Sequence, residues 1–335
     1  MRYRISLSYA GAGFRGWQRQ PSDPSVQQCL EEALGRLLGT SVEVIGAGRT
    51  DTGVNAIGYV ACFDGPEGLA AEDFRYKLNA ILPRSIVVNS VAPSEPEFHA
   101  RFDAVRREYT YFLHRSKDPF VEAFSWQCGY PGLDFDAMNQ AAELLTGTHD
   151  FSCFEKAGAD NKTSVCTVFE AFWRPYVPSH LAICGSPGQP SAAGKGPVCV
   201  PQGAPSTGIA RPYDALALPG AVAEERAVPA SAAHPETYSM PEPQYWYFRI
   251  SADRFLRNMV RAIVGTLIDV GRGKRSVEDF GALILPAEDV PPGIPCTGAK
   301  ASGQSGATQL THPVRRSLAG ESVPGHALFL SKVLY

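Results

Sequence analysis

The chain predicts an α+β protein of two similar halves, each a mainly antiparallel sheet with packed helices, with the active-site cleft between them. Three observations carry that expectation. Strand-length segments alternate apolar and polar residues with period two, helix-length segments carry apolar stripes between them, and the second half repeats the grammar of the first. Residues 2–9 place Tyr3, Ile5, Leu7 and Tyr9 on one side and Arg4, Ser6 and Ser8 on the other. Ser25 and Gln28 form a capping-box pattern ahead of Val26, Leu30, Leu34, Leu37 and Leu38 at helical spacing. Short strands follow at VEVIG (42–46) and IGYVACF (57–63), with a helix at 72–82 stopped by Pro83 and a strand at 86–92.

The second half opens with the strand REYTYFLHR (107–115), with Tyr109, Tyr111 and Leu113 on one face. Asp134 can cap a helix carrying Met138, Ala142 and Leu145 that ends at Gly147. Segments 167–173 and 244–252 read as paired strands. Phe255, Met259, Ile263 and Leu267 mark a helix of about four turns, Ser276 caps another, and HALFLSKVLY closes the chain as a strand. The expected halves are 1–103, with the glycine-rich loop, and 104–335. Residues 177–242 hold eleven prolines and seven glycines, and 291–325 is similarly poor in core formers. Both read as flexible low-complexity insertions that carry no chemistry.

With 44% hydrophobic residues in 335, the chain can bury a core in more than one unit. The net charge of −3 excludes a protein that is basic all over, but leaves room for a local basic groove. The eight cysteines contain no CxxC and the seven histidines are dispersed, so neither a metal site nor a disulfide framework is expected. The opening residues alternate rather than forming an apolar block, and no apolar run approaches the roughly 20 residues that span a bilayer. A soluble cytoplasmic protein without membrane contact is expected.

The stretch GAGRTDTGVNA (46–56) sets Arg49 and Asp51 where one strand breaks and the next begins. A carboxylate at such a bend can face a cleft, with Arg49 holding it ionised. Equally, Asp51 and Thr50 can serve only to satisfy turn backbone groups. In ADRFLRNMVRAIVG, Arg254, Arg257 and Arg261 fall at spacings of three and four. As one helical stripe they would suit phosphates or a buried partner such as Asp51, or else a solvated face. FHARFDAVRREYTY interleaves Arg101, Arg106 and Arg107 with Phe98, Phe102, Tyr109 and Tyr111, and FRGWQRQ does the same with Phe14, Arg15, Trp17 and Arg19. Rings that stack on bases among guanidinium groups that hold phosphates are a nucleic-acid pattern, although alternating aromatics also build cores.

Six stretches in order, SYAGAGFRGWQRQP, SVQQCLEEAL, GAGRTDTGVNA, FHARFDAVRREYTY, ADRFLRNMVRAIVGTLIDVGRGK and PGHALFLSKVLY, give the chain its resemblance to the TruA-type tRNA pseudouridine synthases. The resemblance covers nearly the whole length outside the two insertions. It implies that Asp51 is the catalytic aspartate, that Arg49 helps displace and hold the target base, and that Tyr109 packs on the uracil. It further implies that Arg261 pairs with the aspartate and that Leu330 lines the pocket. The family works without metal or organic cofactor, is commonly a homodimer, and modifies uridines at positions 38 to 40 of the tRNA anticodon stem-loop. Two residues depart from its usual GRTDAGVHA, namely Thr52 for alanine and Asn55 for histidine. Either could alter loop packing or RNA contacts. The alternatives are a non-catalytic RNA-binding protein and a pseudouridine synthase acting on other RNA sites.

Overall fold

The alternation in residues 2–9 builds β1 (Arg2–Tyr9), whose Tyr3, Ile5, Leu7 and Tyr9 are buried while Arg4 is exposed. The structure, a computed structural model, describes residues 1–156, 163–184, 243–286 and 316–335. α1 (Val26–Leu38) follows, and Ser25 accepts a hydrogen bond from the Gln28 N–H. Only half of the capping box forms, because the Gln28 side chain donates forward to Glu32 instead. Then come β2 (Val44–Gly46), β3 (Asn55–Asp64), α2 (Ala71–Ile81) and β4 (Ile86–Pro93). β3 and β4 pair antiparallel with opposite edges of β1.

The next elements are β5 (Arg106–His114), β6 (Trp126–Gln127), α3 (Phe135–Glu143), β7 (Gly147–Asp150), β8 (Val165–Pro175) and α4 (Ser179–Cys184). They are followed by β9 (Tyr245–Ala252), α5 (Met259–Gly271), α6 (Val277–Gly281), β10 (Leu285–Pro286) and β11 (Leu328–Leu334). Asp134 and Ser276 cap α3 and α6 through their side chains, as their positions predict. β8 and β9 pair antiparallel over nearly their full length.

Among the described residues the strands form one sheet in the order β10-β7-β8-β9-β5-β11-β3-β1-β4, with β2 on β3 and β6 on β5. The α+β class is as expected. The step that joins the chain's beginning to its end is the pairing of β11. The last strand runs antiparallel to β5 and parallel to β3, with Leu330 opposite both Tyr109 and Ala56. A single buried apolar cluster continues across this junction.

Two expectations need correction. The helix expected from Phe255 starts only at Met259, because Asn258 adopts a left-handed conformation (φ 65°) that ends the preceding loop. Arg254 and Arg257 therefore share no helix face with Arg261. The proposed insertions lie mostly outside the described residues, but their described ends are structured. One end forms α4. The other forms a 3-10 turn, Arg316–Leu318, and leads to Val323, which is buried in the core.

Candidate active site

The glycine-rich loop leaves β2 at Gly46 and returns as β3 at Asn55. Its turn closes by a hydrogen bond from the Val54 N–H to the Asp51 carbonyl (3.1 Å), with Gly53 at φ 75° where a side chain would be strained. Asp51 thus does build a turn, but with its backbone. Its carboxylate accepts no hydrogen bond from the turn and keeps 29% of its surface exposed. A turn former of the ordinary kind would have spent those oxygens on neighbouring N–H groups.

Three other segments press on this loop. The Trp17 N–H donates to the Thr50 carbonyl, and the Gly53 N–H donates to the Phe14 carbonyl. The Thr50 hydroxyl, buried beside Asp51, meets the Tyr9 hydroxyl at 2.8 Å. Backbones approach so closely that a Cβ on Gly11 would lie 2.3 Å from the Val54 oxygen, and one on Gly16 would lie 2.2 Å from the Thr50 oxygen. Below the loop, Trp17 stacks on Tyr59 at 4.2 Å.

The opposite wall comes from the second half. Arg261, near the start of α5, donates from Nε to the Val323 carbonyl at 2.7 Å and turns Nη1 toward Asp51 Oδ2 at 3.9 Å. This is a loose ion pair between two partly solvated groups, so Asp51 is not the buried acid that the pairing idea pictures. Val323 lies in a segment expected to carry no chemistry, and its carbonyl is what aims the arginine. Tyr109, 9% exposed, stands edge-on to Phe255 at 5.0 Å. Burial first, and the negative charge of Asp51 second, raise the Tyr109 hydroxyl above its ordinary pKa, so it stays protonated and can donate. Leu330 is 2% exposed and fills the floor between Tyr109 and Ala56. The structure therefore brings Asp51, Tyr109, Arg261 and Leu330 together.

Arg49 does not join them. Its exposed guanidinium donates to Gln18 at 3.0 Å and forms no ion pair with Asp51. The basic and aromatic stretches also resolve mainly into structure. Arg106 pairs with Glu170 at 2.7 Å, and Arg15 and Arg19 pair with Asp23 and Glu31. Phe14, Trp17, Tyr109 and Tyr111 are buried. Arg107 spends its guanidinium on the carbonyls of Ala47, Arg101, Ala104 and Asp253, tying the Asp51 loop to the 101–104 segment and to the end of β9. Burial lowers its pKa. Arg101, lying over the exposed ring of Phe102, keeps the arrangement that suits nucleic acid.

Beyond Val323 an open groove of about 560 Å³ runs along α5, lined by Trp126, Tyr130, Arg272 and Lys274 among others. Arg272 lies over the Tyr130 ring, its Cζ 3.7 Å from the ring centre. Among the described residues, no three His, Cys, Asp or Glu side chains converge as metal ligands would.

The family model for tRNA pseudouridine synthases matches residues 6–103 and 141–306. The chain belongs to the tRNA pseudouridine synthase family. It is 37% identical to tRNA pseudouridine synthase A of Porphyromonas gingivalis, over 100% of this chain and 97% of that protein. It is 36% identical to the enzyme of the same name from Parabacteroides distasonis, over 100% of this chain and 96% of the relative. With that of Bacteroides thetaiotaomicron the identity is 35%, over 100% and 90%. The family match covers both the Asp51 loop and α5.

Sequence reading did not find Asn55, Tyr9, Arg107 or Val323 as parts of this site. In the sequence Asn55 stands out only as a departure from the family stretch, open to loop packing or RNA contact. The structure decides for packing, since Asn55 is 2% exposed and bonded on both sides.

Proposed function

We propose that this protein isomerises uridine to pseudouridine in tRNA, at positions 38 to 40 of the anticodon stem-loop, with Asp51 as the catalytic nucleophile. The observation that carries the reading is the Asp51 carboxylate, left free by its own turn and facing Arg261 and Tyr109 across the cleft. The reaction breaks the N1–C1′ bond, turns the uracil and joins C5 to C1′. C5 gives up its proton as it joins C1′ and N1 gains one, so substrate and product have the same formula and no oxidant or reductant takes part. An ionised carboxylate suits this by attacking C1′ or C6, or by stabilising charge as the glycosidic bond breaks. Arg261 supplies opposite charge from one side.

The uridine must first leave its stack, at a cost of a few kcal/mol. Tyr109 offers an aromatic surface for the base and a protonated hydroxyl beside Asp51, while Leu330 excludes water beneath. Arg49, exposed on the loop and held only by Gln18, is the group that displaces the base and holds the RNA. The tRNA runs on past the cleft, where Arg272 and Lys274 line the groove.

The two halves, 1–103 and 104–335, clasp the RNA between them, and the protein works as a cytoplasmic homodimer. Support for the dimer comes from the aromatic face of β5, β8, β9 and β11, where Phe112, Phe172, Tyr247 and Phe329 contact one another or nearby rings. Phe124, packed on Phe329, is 46% exposed. No helix among the described residues is long and apolar enough to cross a membrane.

The deciding experiment incubates the purified protein with tRNA lacking pseudouridine and maps modified positions. Pseudouridine at 38 to 40 with wild type, and its loss by at least about a thousandfold with Asp51→Asn at unchanged tRNA affinity, is expected. Turnover by an Asp51→Asn protein free of wild-type enzyme would remove Asp51 from the nucleophile role. Binding without any pseudouridine formation would instead favour a non-catalytic RNA-binding protein.

A further inference from the structure

We propose that Asn55 is a positioning residue that holds the Asp51 loop against the far wall of the cleft. Asp51 and Asn55 lie on one short stretch of the first half, whereas Tyr109, Arg261 and Leu330 belong to the second. Something must therefore fix the distance between the two sets. Asn55 is placed to do so, alongside the bonds from Arg107 to the Ala47 carbonyl. Its Oδ1 accepts a hydrogen bond from the Gly11 N–H at 2.8 Å, on the loop leaving β1. Its Nδ2 donates to the His326 carbonyl at 2.7 Å and to the Leu328 carbonyl at 3.4 Å, at the entrance to β11.

One amide thus bridges three backbone segments, and it sits where β3 and β11 begin their parallel pairing, with Asn55 opposite Phe329. The same three segments touch backbone to backbone around Asp51. A Cβ on Gly11 would meet the Val54 oxygen at 2.3 Å, and one on Gly325 would meet the Thr52 oxygen at 2.6 Å. Across this close approach the Asn55 side chain supplies both the acceptor for the Gly11 N–H and the donor for the two carbonyls. Asn55 is itself 2% exposed, which keeps it from touching RNA. Losing it would strand one N–H and one or two carbonyls in a closed interior, and the loop would shift to find partners for them. A displacement of about 1 Å in a reacting group is enough to cost about a hundredfold in rate.

The clamp rests on Asp51 being the reacting carboxylate, so the test measures pseudouridine formation by full-length protein over a range of tRNA concentrations, which separates kcat from KM. Asn55→Ala is expected to lower kcat by about 10- to 100-fold while KM stays within about twofold, because Asn55 holds the acid and not the RNA. Asn55→Asp keeps the acceptor for Gly11 but sets a carboxylate oxygen against two carbonyls, and should lose as much as the alanine variant. Asn55→His retains one ring donor and one ring acceptor, and should recover most of the wild-type kcat.

Wild-type kcat in Asn55→Ala, whatever its melting temperature, would overturn the proposal, as would a loss confined to KM. A histidine variant as slow as the alanine one would overturn it too. Should Asn55→Ala fail to fold, Asn55→Asp with native circular dichroism and tRNA affinity decides by the same criterion. Failure of the underlying reading looks different: Asp51→Asn would then turn over, or wild type would make no pseudouridine.

Discussion

The loop that carries Asp51 and the strands that carry Tyr109 and Leu330 meet at one site, yet they are held by different forces. Tyr109 and Leu330 are placed by sheet register, opposite one another on β5 and β11 and packed into the apolar cluster. Shifting either would unpair a strand. The Asp51 loop has almost no apolar anchor of its own beyond Ala47 and Val54. Polar ties hold it instead, namely Thr50 to Tyr9, Ala47 to Arg107 and Asn55 to Gly11 and His326, together with close glycine contacts. The lesson is that the site's shape and the position of its acid can be damaged separately. Sheet variants should unfold the protein, whereas loop variants should leave a folded protein that turns over slowly.

Gly16→Ala presses hardest on that distinction. Gly16 has φ 96° and would put its Cβ 2.2 Å from the Thr50 oxygen. The variant should lose roughly 2–4 kcal/mol of stability from backbone strain and displacement of the loop, read by urea unfolding. Native stability would mean that the contact is softer than the geometry implies. Arg261→Ala comes next, and should lower kcat by about 10- to 100-fold at a cost of no more than about 1 kcal/mol, since its pair with Asp51 is long and partly solvated. A large fall in melting temperature would show that its bond to Val323 matters more than its charge.

Arg49→Ala should leave stability within about 0.5 kcal/mol, because the side chain is exposed and bonds only to Gln18. Its effect should fall on tRNA turnover, measured as kcat/KM, and an unchanged value would remove Arg49 from the base-displacing role. The smallest effect lies away from the cleft. His114 is fully enclosed, its Nδ1 2.9 Å from the Ser125 hydroxyl, and burial lowers its pKa from 6.5 despite nearby Glu122 and Asp118. The unfolded chain takes up the proton first as pH falls. The stability that neutral His114 contributes is therefore complete above pH 6.5 and declines below it. Wild type should weaken from pH 7 to pH 5 more than His114→Gln does, and equal slopes would count against the assignment.

Much of this molecule could be read directly from local pattern. Period two in residues 2–9 and helical spacing after Ser25 are local properties, and they gave the right elements because each buries one face against a neighbour. The family stretches likewise mark Asp51, Tyr109, Arg261 and Leu330, which the fold brings together. What local pattern misjudged was charge. Arginines at spacings of three and four looked like one stripe, but a single left-handed residue, Asn258, takes Arg257 off the helix. Arginines among aromatics looked like an RNA surface, yet Arg106 and Arg107 spend their charge on Glu170 and on backbone carbonyls.

By itself, then, the sequence determined the α+β class, most of the strands and helices, the family and the candidate catalytic aspartate, all of which follow from short-range periodicity or ordered stretches of residues. The tertiary structure alone decided that β11 runs parallel to β3, that Val323 aims Arg261, and that Asn55 ties the Asp51 loop to the chain's last strand. These depend on backbone carbonyls and N–H groups far apart in the chain. Every residue carries such groups, so which of them meet is settled only when the chain has folded.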